Sequence, residues 1–215
     1  MIDVRNVSFA YNSHPVLAQV NLSVRPGDRI GLSGSNGSGK TTLCRIIMGL
    51  LAPHSGEIEI FGKARRTESD FVHIRGRIGF LFQDADDQLF CPTVLEDVAF
   101  GPLNQGKSLQ EVRHIVSSTL SSLGLFGFEE RFTHQLSGGE KRLVSLATVL
   151  AMDPEVLILD EPTAGLDEET VERLVEVLRD SKIAQLVVSH DRLFLEKTAD
   201  KLFTLNHAIL KPNGA

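Results

Sequence analysis

Apolar and polar residues alternate along IDVRNVSF near the start of the chain and again along VLAQVNLSV, which predicts two half-buried strands. Pro26, Gly27 and Asp28 close the second as a turn. RIGLSG is a short apolar run entering a glycine-rich loop, and TTLCRIIMGLL (41–51) is the helix expected after it, ended by Pro53 and Gly56. GEIEIFG alternates once more, and RIGFLF (77–82) is another short apolar run. From about 93 to 152 the pattern becomes helical, through TVLEDVAFGPL, SLQEVRHIVSSTLSSLGL and a helix from Gly138 to Met152. VLILD (156–160) is branched and leucine-rich without alternation, as befits a strand covered on both faces. A helix near 168–180, the buried run QLVVSH, and a final helix and strand complete the chain. Strands alternating with helices around a helical block predict an α/β fold. We expect one domain over 1–215, with a core at about 1–83 and 153–215 and a helical lobe at about 84–152.

Composition narrows the partners. The 215 residues suffice for a substantial core, and 42% hydrophobic with 23% charged residues is ordinary for a globular protein. A formal net charge of −6 argues against a surface built to grip nucleic acid. No apolar run reaches the roughly 18–20 residues that cross a bilayer, and MIDVRNVSFAYN lacks the basic start and apolar stretch of a signal peptide. A cytosolic location is therefore expected, with any membrane role supplied by a partner. Cys44 and Cys91 form no disulfide framework and lack metal-ligand spacing.

The chemistry begins at residues 34–41, GSNGSGKT, which fit G-x-x-x-x-G-K-[ST] between a predicted strand and a predicted helix. Gly34, Gly37 and Gly39 let the backbone curl so that its N–H groups, together with Ser35, Asn36, Ser38 and Thr42, face phosphate oxygens at the positive end of the helix. Lys40 reaches the β- and γ-phosphates in this pattern, and the Thr41 hydroxyl ligates Mg²⁺. Asp160, closing VLILD, is the expected aspartate behind the magnesium. Glu161 follows at once, where a carboxylate orients and deprotonates attacking water.

LSGGE (136–140), followed by KRLVSLATVLAMDPEVLILDEPTAGLD, makes the chain resemble the ATP-binding cassette (ABC) ATPases over nearly its whole length. The resemblance implies a RecA-like phosphate-loop core with an antiparallel β-subdomain and an inserted α-helical subdomain. It implies that Gln83 is the glutamine reaching Mg²⁺ and the attacking water, that His190 contacts the γ-phosphate, and that Tyr11 stacks on adenine. By the same resemblance, Asp167 belongs to the D-loop, and Ser137, Gly138 and Gly139 bind ATP. These last three open a helix and form a second anion-binding terminus, about a hundred residues from the first. One rigid chain does not easily enclose one γ-phosphate with both. The family's solution is a head-to-tail dimer, here a homodimer or a heterodimer of cassettes, in which each signature closes on the partner's ATP.

The segment FQDADDQLF (82–90) loads Asp84, Asp86 and Asp87 between phenylalanines. As a metal site it lacks the glycine turn and distal glutamate of a calcium loop. A solvated loop and a docking surface remain open. In the docking reading, an acidic rim meets basic residues of a membrane subunit near Asp84–Phe90, with Leu89 and Phe90 packing beneath. DDQLFCPTVLEDVAFGPLN is similar to the ATPases of energy-coupling-factor importers, especially cobalt and nickel members. Only 25 residues follow His190, fewer than in vitamin-import members, which favours a minimal cassette whose dimer depends on ATP or the membrane subunit. The expectation is an ATPase, with ATP and Mg²⁺ as cofactors, peripheral on the inner face of the cell membrane. The alternatives are a vitamin importer or a soluble cassette ATPase of iron–sulfur cofactor assembly.

Overall fold

The computed structural model describes residues 1–213. The first two alternating segments form β1 (Ile2–Tyr11) and β2 (His14–Val24), paired antiparallel. Their alternation carries a phase break. Ile2 and Val4 are buried, and then Val7 and Phe9, because Asn6 (φ 50) and Gln19 (φ 51) adopt left-handed conformations where the register shifts. Asn21 and Asn6 exchange hydrogen bonds across the irregularity, satisfying the displaced backbone.

After β3 (Arg29–Ser33) comes α1 (Lys40–Ile47). This helix stops earlier than the apolar pattern suggests. Gly49 takes φ 69 and lies against the Phe71 ring, where a β-carbon would come within 2.4 Å, so the chain turns away there. β4 (Ser55–Ile60) and β5 (Lys63–Arg65) add to the first sheet, whose order is β2-β1-β4-β5. A helix not anticipated above, α2 (Glu68–Arg75), follows. The Thr67 N–H donates to Asp70 at 2.8 Å, a capping arrangement whose N–H donors from Thr67 and Arg66 pull the Asp70 carboxyl down to about 2.

β6 (Ile78–Leu81) enters a short 3-10 turn, Ala85–Asp87, and then the helical block: α3 (Val94–Asn104), α4 (Leu109–Ser122) and α5 (Gly138–Leu150). Each of these helices begins with a Ser or Thr whose partner glutamate lies three residues on: Thr93 with Glu96, Ser108 with Glu111, Ser137 with Glu140. β7 (Val156–Asp160), α6 (Glu168–Asp180), β8 (Ala184–Val188), α7 (Arg192–Thr198), β9 (Lys201–Asn206) and β10 (Ile209–Pro212) complete the chain. The second sheet has the order β10-β9-β3-β8-β7-β6, parallel except for the terminal β9–β10 pair.

Alternate residues of a strand point to opposite faces, and β7 divides its side chains accordingly. Val156 and Ile158 join the core shared with β1, β2, α1 and α2, whereas Leu157 and Leu159 join the core shared with α3–α7. The helical block thus packs on one face of the parallel sheet and the antiparallel sheet on the other. Ile158 is fully buried. Ile158→Ala should lower the unfolding free energy by about 2–5 kcal/mol, read from the urea midpoint at an unchanged slope.

Candidate active site

The parallel strands β3, β7 and β8 all end at one edge of the second sheet, and the loops leaving them meet there. The loop after β3 requires glycine at particular places. Gly34 has φ 153, and a β-carbon on it would come within 2.4 Å of the Leu205 carbonyl. Gly39, at φ 106 just before α1, would press a β-carbon to 2.7 Å from Val16. These approaches let the loop curl under the N-terminus of α1. Lys40, almost wholly buried, donates to the carbonyls of Gly34 (2.8 Å) and Ser35 (3.1 Å) across the loop. A cavity of about 340 Å³ opens above, lined by Tyr11, Val16, Asn36 to Thr42, Gln83 and Glu161. Tyr11 is 44% exposed and stands edge-on to Phe9 at 4.8 Å, which leaves its ring facing the opening.

Behind this cavity lies Asp160, fully buried at the end of β7. Neither of its carboxylate oxygens has a hydrogen-bond partner of normal geometry. Burial raises its pKa, opposed by the nearby Thr41 hydroxyl. Thr41 also reaches toward the Gln83 amide oxygen at 3.5 Å, the outer limit of a hydrogen bond. Three oxygen-bearing side chains thus converge, one of them a buried and unsatisfied carboxylate. That donor set suits a small hard cation shared with phosphate oxygens. Among the described residues, no group of three His, Cys, Asp or Glu side chains is placed to hold a metal alone.

Glu161 follows Asp160 in a left-handed conformation, φ 51. Its Oε2 is held by the Nδ1 of His190 at 2.8 Å, the His190 N–H at 3.2 Å and the Ser189 hydroxyl at 3.2 Å. Gln83 and Glu161 therefore line the cavity, and His190 reaches it through Glu161. Ser35 does not line it, and its carbonyl accepts from Lys40.

The signature residues stand apart. Ser137 caps α5, accepting from the Glu140 N–H at 3.3 Å, and Gly138 is open to solvent. Gly139 lies against the Gly165 carbonyl, so the LSGGE and TAGLD segments touch within one chain. None of Ser137, Gly138, Gly139 or Asp167 lines the cavity. Asp167 instead caps α6, accepting from the Thr170 N–H at 2.8 Å, which lowers its pKa.

The acidic segment is more structural than its sequence suggests. Asp84 accepts from the Asp86 N–H at 3.0 Å and caps the 3-10 turn. Asp86 is bridged to Lys141 of α5 at 2.6 Å. Gln88 donates to the Ser145 carbonyl and the Thr148 hydroxyl, both at 2.8 Å. Asp84, Asp86 and Asp87 nevertheless all remain exposed, Asp86 sharing its charge with Lys141. Phe90 is exposed beside them, at 67% and edge-on to Phe100. Asp87 and Phe90 border a second cavity of about 350 Å³ together with Met48, Leu50, Met152 and Asp97.

One residue at the site escaped the sequence reading. Arg142, in α5, is 3% exposed and donates to the carbonyls of Phe82, Gln83, Asp160 and Glu161. The available signal was a lone cation on the apolar face of RLVSLATVL.

The sequence pattern of the ABC transporter family matches residues 17–164. Over 219 residues the chain is 41% identical to the energy-coupling factor transporter ATP-binding protein EcfA of Methanothermobacter thermautotrophicus, covering all of this chain and 70% of that one. Among solved structures, cbiO1 of Clostridium perfringens, part of the ABC transporter complex cbiONQ, superposes with a TM-score of 0.85 at 34% identity, covering 98% of this chain and 86% of that one. A dimeric ATP-binding cassette, MJ0796, in a post-hydrolysis state bound to ADP and Pi, superposes with a TM-score of 0.90 at 26% identity, covering both chains completely. With its phosphate loop, its buried aspartate and the glutamate beside it at one sheet edge, the chain belongs to the ABC transporter family of ATPases.

Proposed function

We propose that this chain hydrolyses ATP as a subunit of an energy-coupling-factor importer of a transition-metal cation, cobalt or nickel, working as a head-to-tail dimer on integral membrane subunits. The observation that carries the hydrolytic reading is the convergence of Lys40, Thr41, Gln83, Asp160 and Glu161 about one cavity. Cobalt or nickel rests on the resemblance of DDQLF and TVLEDVAFGP to those importers.

Triphosphate enters above the loop, where the N–H groups of Ser35 to Thr42 and the N-terminus of α1 receive its oxygens, and Tyr11 offers its ring to adenine. The Lys40 ammonium exchanges the carbonyls of Gly34 and Ser35 for the β- and γ-phosphates. Thr41, Gln83 and Asp160 are the residues that hold Mg²⁺. The ion, when bound, neutralises charge on the phosphate oxygens. Before nucleotide arrives, Glu161 is tied to His190 and Ser189. Turning His190 toward the γ-phosphate releases the Glu161 carboxylate to take a proton from water.

The chain's own signature residues do not line the cavity. A second cassette, either another copy or a related chain, supplies Ser137, Gly138 and Gly139 to close it. Asp167, in the adjoining segment, lies at the same junction.

Docking falls on the groove bordered by Asp87, Phe90, Phe100 and Met152. Asp97, at its base, accepts from the N–H groups of Phe90 and Cys91 through one oxygen, and its other oxygen is buried without a partner. An apolar floor with Asp87 and Arg75 at its margin suits a helix bearing apolar and charged side chains. Among the described residues no helix is long and apolar enough to cross a membrane, so transport requires other subunits. We place the chain at the inner face of the membrane.

Glu161→Gln should reduce phosphate release by about 10²–10⁴-fold while an ATP-bound dimer accumulates on size-exclusion chromatography. Unchanged turnover removes Glu161 from the role of base. Asp160 is costly in the nucleotide-free chain. A carboxyl whose folded pKa is raised destabilises once pH rises above its unfolded value near 3.8. Asp160→Asn should therefore melt higher than wild type at pH 8 without Mg²⁺ or nucleotide, and the gap should close as pH falls below that value. Asp87→Lys should retain ATP binding but lose integral membrane proteins that co-purify with the tagged chain from gently solubilised membranes. Recovery of soluble partners alone with an active ATPase would favour cofactor assembly instead.

A further inference from the structure

We propose that Arg142 is a positioning residue for hydrolysis, a brace by which the signature helix α5 holds the chain at Gln83 and the turn at Glu161 in one fixed relation. The inference rests on the hydrolytic reading above. It concerns how the water-orienting side chains are placed, since Arg142 itself lines no part of the cavity.

Four main-chain carbonyls carry the argument. Nη1 donates to Phe82 and, at 3.1 Å, to Gln83. Nη2 donates to Asp160 and, at 2.5 Å, to Glu161. The first pair belongs to the segment leaving β6, and the second to the turn leaving β7. The side chain is 3% exposed, and among the described residues Arg142 forms no ion pair. Burial pushes the guanidinium down to about 10, opposed by the nearby carboxylates of Asp160, Glu161 and Asp84, and it stays protonated at neutral pH. A packing role alone would be served better by an uncharged side chain. The charge is retained where it fixes main-chain oxygens.

Both fixed segments need support. Glu161 has a left-handed backbone, an unfavourable conformation for a residue with a β-carbon. Its N–H donates to the Val188 carbonyl at 2.8 Å, so Arg142 secures the other side of the same turn. The Gln83 side chain meets Thr41 only at 3.5 Å, so its place is set by its backbone rather than by that contact. A guanidinium fork spans both carbonyl pairs, whereas the single nitrogen of a lysine cannot. α5 also begins at Ser137. Through Arg142, the helix end offered to one nucleotide is therefore tied to the base that serves the other.

The test uses the tagged full chain purified together with its cassette and membrane partners, as wild type, Arg142→Lys and Arg142→Met. Phosphate release is measured against ATP and Mg²⁺, alongside equilibrium binding of a fluorescent ATP analogue and thermal melting. We expect kcat to fall about tenfold in the lysine variant and further in the methionine variant. The Mg²⁺ concentration for half-maximal turnover should rise several-fold, and nucleotide Kd should stay within about twofold, because Lys40 and the phosphate loop are untouched. Wild-type kcat and Mg²⁺ dependence in the lysine variant would overturn the brace. So would a common loss of kcat, nucleotide affinity and melting temperature in both variants, which would make Arg142 a packing residue. A wild-type chain that releases no phosphate would overturn the hydrolytic reading and the brace with it, whereas a normal wild type beside unaffected variants would overturn the brace alone.

Discussion

The parallel alignment of β3, β8 and β7 is the constraint on which the rest of the site depends. Parallel strands end at the same edge, so the phosphate loop, the Asp160–Glu161 turn and the His190 turn meet although they are spread over some 150 positions of sequence. The strands are locked from both faces by apolar packing, and their ends are correspondingly rigid. Groups that must act together within hydrogen-bonding distance benefit from such a base.

That base carries costs at the same edge. Asp160 keeps two oxygens away from water without partners, Glu161 adopts a left-handed backbone, and Arg142 is buried without a direct ion pair. Each is unfavourable in a resting protein, and each lies within one turn of the cavity or braces that turn. Left-handed residues such as Asn6 and Gln19 and the unpaired Asp97 oxygen occur elsewhere too, but at this edge the three kinds of cost meet around one cavity.

The sequence was most legible where one pattern implied one structure. Non-alternating VLILD and QLVVSH became buried strands, and the helical periods at 93–103 and 108–125 became α3 and α4. GSNGSGKT disclosed its cradle because only glycine tolerates the approaches at Gly34 and Gly39. Legibility failed where tertiary contact decided. The helix after the phosphate loop ended at Ile47 because Phe71, remote in sequence, occupies the space beside Gly49. α2 went unseen because eight residues show little periodicity, although TESD held the capping pattern that starts it. Asp86 looked like free charge until Lys141, 55 residues away, was found beside it. Arg142 showed only as a lone cation on an apolar helix face, because its partners are backbone carbonyls, which no pattern of side chains reveals.

The division of β7 between two cores bears on how the molecule comes apart. Leu157 and Leu159 share their core with α3, α4 and α5, while Val156 and Ile158 share theirs with α1 and the antiparallel sheet. Melting the helical block would expose the β6 and β7 part of one face of the central sheet to water, beside the part that α6 and α7 still cover. The helices pack largely on one another in the core on that face, with Leu81, Leu157, Leu159 and Val187 as its sheet side. Loss of order in either half propagates through this shared strand, so the chain is built to unfold as one cooperative unit rather than lobe by lobe.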